Sequence, residues 1–181
     1  MSTKQVQSRE IEFPEGVTAS LSGRTLSVTG RMGESKKHFD KVNVSLALNG
    51  NKLSISPYSA KKKDNVIVNT VASLIGNMIA GVSKGYTYKL KIVYAHFPIS
   101  VKVKGEEILV ENFVGERSPR VAKIVGDCKV TVEGDDIVVK GVSVEDVGQT
   151  SANVELATKI KRKDQRIFLD GVYIYEKTGG S

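Results

Sequence analysis

The chain repeats one order of short sequence patterns in its two halves, and this repeat constrains the fold more than any other feature. The matched segments recur in the same order: Phe13-Pro14 with Phe97-Pro98, 23–28 with 105–110, Gly33-Glu34 with Gly115-Glu116, and 50–55 with 134–139. Several matches in one order favour duplication over chance similarity. A length of 181 residues accommodates two small domains. The sequence therefore predicts two tandem domains, residues 1–84 and 85–181.

Each half begins with alternating apolar and polar residues, a pattern that is typical of strands. The apolar members in the first half are Val17, Ala19, Leu21, Leu26, Val28, Val42, Val44, Leu46, Leu48, Leu53 and Ile55. Glycine and asparagine between these runs indicate tight hairpin turns, so we expect an antiparallel meander. After Pro57, apolar residues three and four apart from Val68 to Val82 predict one amphipathic helix, with Asp64 as its candidate N-cap.

The second half predicts the same architecture. A second helix is expected over about 143–160, where residues four apart are Val144, Gly148, Ala152, Leu156 and Ile160. We place Leu156 on the face that packs against the sheet. Strands at 85–88 and 171–175 are expected to close the two units. The predicted fold class is therefore α+β, with two tandem duplicated domains, each an antiparallel sheet covered by one main helix.

Charge and cysteine content narrow the possible functions. Lysine and arginine total 27 against 20 acidic residues, which gives a net charge of +7 and favours a polyanionic partner. One cysteine and two histidines exclude a disulfide framework and make a zinc site improbable. The sequence has no uninterrupted apolar run of membrane-spanning length and no apolar N-terminal signal, so we expect a cytosolic protein with no membrane partner.

The sequence contains no pattern that indicates catalysis. The acidic pairs 106–107 and 135–136 fall in predicted hairpin turns, where carboxylates are common for structural reasons. His38, His96 and Cys128 are interpreted as structural residues, with Cys128 half-buried in a strand. No phosphate-binding loop or nucleophile elbow occurs. We therefore predict no enzymatic activity, no catalytic residue, no cofactor and no metal.

Two stretches carry a family resemblance: Val93–Ile99 (VYAHFPI), and Val147–Glu155 (VGQTSANVE) continuing into Lys161–Tyr173 (KRKDQRIFLDGVY). Together they closely resemble the ribosomal large-subunit protein six family, called large-subunit protein nine in eukaryotes, in its archaeal and eukaryotic form. The resemblance covers nearly the whole chain, including the duplication. It implies a structural protein of the large ribosomal subunit, in cytoplasmic ribosomes, with no catalysis.

The same resemblance implies the partners. The second domain would bind large-subunit rRNA near the sarcin-ricin loop and the stalk base, where translation factors dock. Neighbouring ribosomal proteins would be further contacts, and no homo-oligomer is expected. The alternative function is a non-ribosomal two-domain adaptor that binds an acidic protein through its edge strands or a helix face.

The densest group of cations follows the second predicted helix and comprises Lys159, Lys161, Arg162, Lys163 and Arg166. Cations there could simply complement the helix dipole. Because the group continues into a loop that the resemblance covers, we favour phosphate contact. Arg162 and Arg166 would orient the phosphates with forked hydrogen bonds, and the lysines would add affinity. We expect Asp164 to orient an arginine.

A second group, Arg117, Arg120 and Lys123, lies in and after a predicted hairpin turn. We expect it to contact RNA, and an ordinary solvated turn is the alternative. The corresponding segment of the first domain, residues 33–37, is interpreted as a turn and is also positively charged. Tyr173 and Lys177 complete the candidate rRNA-binding residues. Tyrosines on strands could stack on unpaired bases, but we favour alternate tyrosines with one ring in the core and its neighbour at the rim.

Overall fold

The computed structural model describes residues 8–59, 61–161, 164 and 166–179. The chain divides after Lys84 into two compact units, the second of which is Gly85–Gly179. Within the described part of the first unit, the elements are β1 Arg9–Glu12, β2 Thr18–Ser22, β3 Thr25–Gly30, β4 Gly33–His38, β5 Val44–Asn49, β6 Lys52–Pro57 and α1 Lys62–Lys84. All strand pairs are antiparallel, in sheets of order β2-β3-β4 and β1-β6-β5.

Helix α1 packs against strands of both sheets of the first unit. Its buried side chains are Val68, Val71, Ala72, Ile75, Met78 and Val82. The predicted alternation also appears in β3 and β6, where every second side chain is buried. By length and composition alone, α1 is apolar enough to cross a membrane. Because its large aliphatic side chains pack on two sheets, we describe it as a core helix.

Two details of the first unit differ from the sequence predictions. Asp64 lies in the first turn of α1 rather than at its N-cap, and its carboxylate accepts a hydrogen bond from the Ser59 hydroxyl. Residues 33–37, which we predicted as a turn, belong to strand β4. The turn itself consists of only the two residues before this strand, so that Gly30 pairs with Gly33. A Cβ on Gly30 would lie 2.7 Å from the Val82 carbonyl oxygen, so this hairpin approaches α1 too closely for a side chain.

The second unit has the same strand-then-helix order. Its elements are β7 Tyr86–Val93, β8 Ser100–Lys104, β9 Glu107–Glu111, a 3₁₀ turn Phe113–Gly115, β10 Arg120–Lys123, β11 Lys129–Glu133, β12 Asp136–Gly141, α2 Val144–Ala157 and β13 Gly171–Gly179. The sheets have the orders β11-β12-β7-β13 and β10-β9-β8, and α2 packs against strands of both. The α+β prediction of two repeated units is confirmed, with two sheets in each unit instead of one.

The strand after α1 belongs to the second unit. We expected the strand at 85–88 to close the first unit, but β7 lies between β12 and β13 and pairs antiparallel with both. In the repeat, β7 corresponds to β1, since β1 pairs with β6 as β7 pairs with β12. The prediction failed because a strand directly after a helix can join either neighbouring sheet, and local pattern does not distinguish them.

The prediction for the inward face of α2 was wrong. Leu156 is 62% exposed, whereas Val147, Thr150, Ser151 and Val154 are buried. A four-residue step on an α-helix turns about 40° past a full turn, so a strict four-residue series moves away from the core. The true face combines steps of three and four and includes hydroxyl side chains. Those hydroxyls are satisfied internally: Ser151 Oγ donates to the Val147 carbonyl oxygen at 2.8 Å.

Candidate nucleic-acid interface

One end of the second unit collects most of the predicted RNA-binding residues that can be placed. The chain leaves the C-terminus of α2 through Lys159 and Lys161, both exposed, and returns into β13, where Tyr173 lies near the strand start. Lys159 and Tyr173 line the same groove. Lys177 lies farther along β13, with its Nζ 5.5 Å from the centroid of the Tyr88 ring. Arg162 and Lys163 lie outside the described residues.

Asp164 orients Arg166, as predicted. Arg166 Nε and Nη2 donate to the two carboxylate oxygens of Asp164 at 3.1 and 2.9 Å, and the Arg166 backbone N–H donates to Oδ1 at 3.0 Å. These bonds hold the pKa of the Asp164 carboxyl below its ordinary value. The Arg166 side chain is 89% exposed, and its Nη1 amino group makes none of these bonds. The guanidinium is therefore held in one orientation with donors still directed to solvent.

The structure gives Arg120, which we predict to contact RNA, a structural role as well. Its Nε and Nη2 donate to the two carboxylate oxygens of Glu116 at 2.8 and 2.6 Å. Its Nη1 donates to the carbonyl oxygens of Ala157 and Lys159, at 2.8 and 3.1 Å, where α2 ends. The guanidinium carbon also lies 4.2 Å from the centroid of the Phe113 ring. Arg120 therefore satisfies carbonyls that the helix end leaves without intrahelical partners.

Arg117 and Lys123 keep exposed side chains, in the loop after the 3₁₀ turn and at the end of β10. The loop is held at its base by Arg120 and Glu116, and Arg120 holds the pKa of the Glu116 carboxyl below its usual range. The Lys123 carbonyl oxygen accepts a hydrogen bond from Asn153 Nδ2 on α2 at 2.9 Å. Both cations thus stand on backbone that is attached to α2.

Sequence reasoning missed a groove at this end of the unit. The groove has a volume of about 360 Å³ and is lined by Glu155, Leu156, Thr158, Lys159, Ile160, Phe168, Val172 and Tyr173. Exposed apolar side chains at or beside it include Leu156, Ile167 and Leu169. The available signal was the aliphatic pair 167 and 169 directly after a basic run, where a purely electrostatic loop would have polar residues.

Hydrogen bonds fix the floor and one wall of the groove. The buried Thr158 hydroxyl is shared between the end of α2 and β13: it donates toward the Val154 carbonyl oxygen and accepts from the Val172 N–H at 3.0 Å. The Tyr173 hydroxyl donates to the Leu169 carbonyl oxygen at 3.1 Å. The groove is therefore formed before any partner binds.

The tyrosines follow our core-and-rim interpretation in β7 only. Tyr86 is buried and Tyr88 is partly buried, whereas Tyr173 and Tyr175 in β13 are both exposed, at 43% and 54%. Residues two apart on a strand share a face, and β13 is an edge strand with a register shift between Ile174 and Glu176. The edge position explains why neither ring of β13 reaches the core.

Two cations of strand β7 are neutralised by carboxylates. Lys89 Nζ lies 2.9 Å from a Glu176 carboxylate oxygen, and Lys91 Nζ lies 3.2 Å from an Asp136 carboxylate oxygen. The Lys89 ammonium group lowers the pKa of the Glu176 carboxyl. In contrast, Lys159 and Lys161 pair with no carboxylate among the residues that the structure describes. These two lysines therefore leave unneutralised positive charge just beyond the end of α2.

Comparison with known proteins agrees with the duplicated fold. The sequence model of the Ribosomal protein L6 family matches twice, over residues 13–85 and 97–171. The large ribosomal subunit protein uL6 of Staphylothermus marinus is 48% identical over 171 residues, 92% of both chains. The uL6 protein of Methanocella arvoryzae is 48% identical over 93% of this chain and 96% of the relative, and that of Archaeoglobus fulgidus is 45% identical over 97% and 92%.

The chain belongs to the ribosomal protein L6 family. The prediction of family, and with it of a ribosomal rather than an enzymatic role in the cytoplasmic ribosome, is confirmed. The two matched family segments fall one in each structural unit apart from the residue that follows Lys84. The family model therefore matches once in each of the two repeated units.

The structure of this L6-family chain also shows the surroundings of His96 and Cys128, which we interpret as structural residues. Asp170, 2% exposed, accepts a hydrogen bond from the Ala95 N–H at 2.9 Å, and His96 Nδ1 lies 3.9 Å from its second oxygen. Cys128 is partly buried, which raises the pKa of its thiol. Among the residues that the structure describes, no three His, Cys, Asp or Glu side chains are grouped to hold a metal ion.

Proposed function

We propose that this protein binds large-subunit rRNA near the sarcin-ricin loop and the stalk base, mainly through the end of the second unit that carries Lys159, Lys161 and Arg166. Its role is placement: it holds RNA in position beside neighbouring ribosomal proteins, close to where translation factors dock. It acts as a single copy.

The observation that carries this proposal is the pair of exposed lysines just beyond the end of α2, which no carboxylate neutralises in the described part of the chain. Lys89 and Lys91 are neutralised by adjacent carboxylates, whereas Lys159 and Lys161 are exposed without such partners in the described part of the chain. Arg166 is oriented by Asp164 and still presents donors to solvent. A preoriented guanidinium a few residues along the chain from two exposed ammonium groups suits the phosphate oxygens of an RNA backbone. We propose Lys177, Arg117 and Lys123 as further RNA contacts, and Arg162 and Lys163 add charge on sequence grounds.

The second unit, residues 85–181, is proposed as the main RNA-binding domain, and residues 1–84 as a separate domain. Cations of the first unit include Lys36 and Lys52, which form ion pairs with Glu34 and Glu12. Self-neutralised pairs of this kind attract a polyanion weakly.

The proposal is tested by RNA affinity of the full chain as a function of salt. The probe is a transcript of the large-subunit rRNA segment that contains the sarcin-ricin loop, and the variant is Lys161→Ala with Arg166→Ala. We expect weaker binding and a log–log salt slope that is shallower by about two units, since two phosphate contacts are lost. The control Arg9→Ala with Lys41→Ala, exposed cations of the first unit, should bind like the wild type. Equal losses in both double variants, or a flat wild-type slope, would contradict the proposal.

A further inference from the structure

The groove beside the cations combines apolar walls with a single carboxylate. Leu156, Ile160, Phe168 and Tyr173 supply aliphatic and aromatic surface, and Glu155 lines the same space. A carboxylate repels phosphate, so the RNA backbone itself does not enter. The volume of about 360 Å³ is at the small end of ligand sites and accommodates one ring system better than a helix about 10 Å across.

The charge around the groove identifies the class of occupant. Lys159 lines the groove, and the exposed Lys161 lies two residues farther along the chain. Because these cations attract negative charge, they favour a ligand whose anionic part stays outside the groove. An unpaired nucleotide has this arrangement, with a flat base on one side and a phosphate on the other. Bases stack on tyrosine and phenylalanine regardless of identity, and Glu155 can accept a hydrogen bond from an exocyclic amino group.

The walls are already ordered. The Tyr173 ring is tethered through its hydroxyl to the Leu169 carbonyl oxygen, and the Phe168 ring centroid lies 5.8 Å from that of His96. The Val172 N–H is tied to the buried Thr158 hydroxyl. A ligand that enters therefore meets rings that are positioned in advance, and little side-chain entropy is lost on binding.

We infer that this groove holds one unpaired base of the rRNA, stacked on Tyr173, while Lys159, Lys161 and Arg166 bind the adjoining phosphates. The inference rests on the proposed rRNA-binding function and adds a base-binding site to it. Leu156 and Ile160 form the aliphatic side of the site. The exposure of Leu156 then has a function, because it provides wall surface to the base instead of packing in the core.

The test separates stacking from phosphate contact by salt dependence. Tyr173→Ala is compared with Tyr175→Ala in the full chain, against the transcript that contains the sarcin-ricin loop. Both tyrosines are exposed on β13, but only Tyr173 lines the groove. We expect Tyr173→Ala to weaken binding about 5- to 100-fold at every salt concentration without changing the slope, because no cation is removed. Tyr173→Phe and Tyr175→Ala should stay within about twofold of the wild type.

The outcomes distinguish the site from the function on which it rests. If Tyr173→Ala binds like the wild type while Lys161→Ala weakens binding, RNA binding stands and the base site is wrong. If the wild type itself shows no salt-dependent binding, the proposed function fails. If Tyr173→Ala lowers assembly into large subunits but leaves RNA affinity unchanged, the groove binds a protein neighbour and the inference is overturned.

A second measurement avoids substitution altogether. Purified large subunits that contain the wild-type protein are irradiated to form zero-length crosslinks, digested with nuclease and trypsin, and analysed by mass spectrometry. We expect a nucleotide adduct on Tyr173 or Phe168. RNA adducts on this protein that spare both rings would overturn the base site while supporting RNA contact elsewhere.

Discussion

Replacing Arg120 by alanine should destabilise the second unit although the residue is at its surface. The bond from Nη1 to the part-buried Ala157 carbonyl oxygen contributes about 1.5–3 kcal/mol, as hydrogen bonds to charged groups do. The exposed ion pair with Glu116 adds about 0.2–1 kcal/mol, and the stacking on Phe113 adds about 0.5–1 kcal/mol. We therefore expect Arg120→Ala to lower the free energy of unfolding by about 2–5 kcal/mol, a large share of a typical 5–15 kcal/mol.

The assay is urea unfolding of the full chain, followed by circular dichroism. Arg117→Ala is the matched control, because Arg117 is an exposed arginine in the loop that Arg120 anchors, and its loss should change stability by no more than about 0.5 kcal/mol. Arg120→Lys should be intermediate, since a single ammonium group cannot reach a carboxylate and two carbonyls at once. Equal stabilities of Arg120→Ala and the wild type, or an equal loss in Arg117→Ala, would refute the structural role.

Three further predictions concern the core and the thiol of the second unit. In urea unfolding, Val154→Ala should lower the free energy of unfolding by about 2 kcal/mol or more, because Val154 is buried. Leu156→Ala should lower it by less than about 0.5 kcal/mol, because Leu156 is exposed. The reverse order would mean that the α2 face is misassigned. Thr158→Val should cost about 1–3 kcal/mol, since the Val172 N–H loses its acceptor, and a neutral effect would contradict that bond's importance. Burial raises the Cys128 thiol pKa, so alkylation at pH 8.5 should be slower in the native chain than in urea, and equal rates would contradict the burial.

The strands and α1 were predictable because their patterns depend on large aliphatic side chains. Leu26 and Val28 alternate with polar neighbours, and Val68, Ile75 and Val82 recur at helical spacing, so local pattern and tertiary burial agree. In α2 the core face includes Thr150 and Ser151, which count as polar in a sequence pattern. Their hydroxyls are satisfied inside the fold, as in the bond between Thr150 Oγ1 and the Val125 N–H at 2.9 Å, and only the structure reveals that bond.

The candidate site was only partly predictable for a related reason. The basic run was predictable because its residues are contiguous in the sequence. The orientation of Arg166 was predictable because Asp164 is only two residues away. The structural role of Arg120 was not predictable, because the backbone carbonyls that it binds at the end of α2 are 37 and 39 residues away along the chain. The groove joins the end of α2 to the start of β13, so no single stretch of sequence contains it. Features built from distant segments require the fold.

Incorporation into large ribosomal subunits tests the central claim most directly. Cells would express the tagged full chain as wild type, as Lys161→Glu with Arg166→Glu, or as the control Arg9→Glu with Lys41→Glu, and extracts would be separated on a sucrose gradient at moderate salt. Our account predicts that the wild type and the control sediment with the large subunit, while the Lys161 and Arg166 variant stays folded but remains in the light fractions. Co-sedimentation of that variant at the wild-type level would contradict the claim that this end of the second unit binds the rRNA.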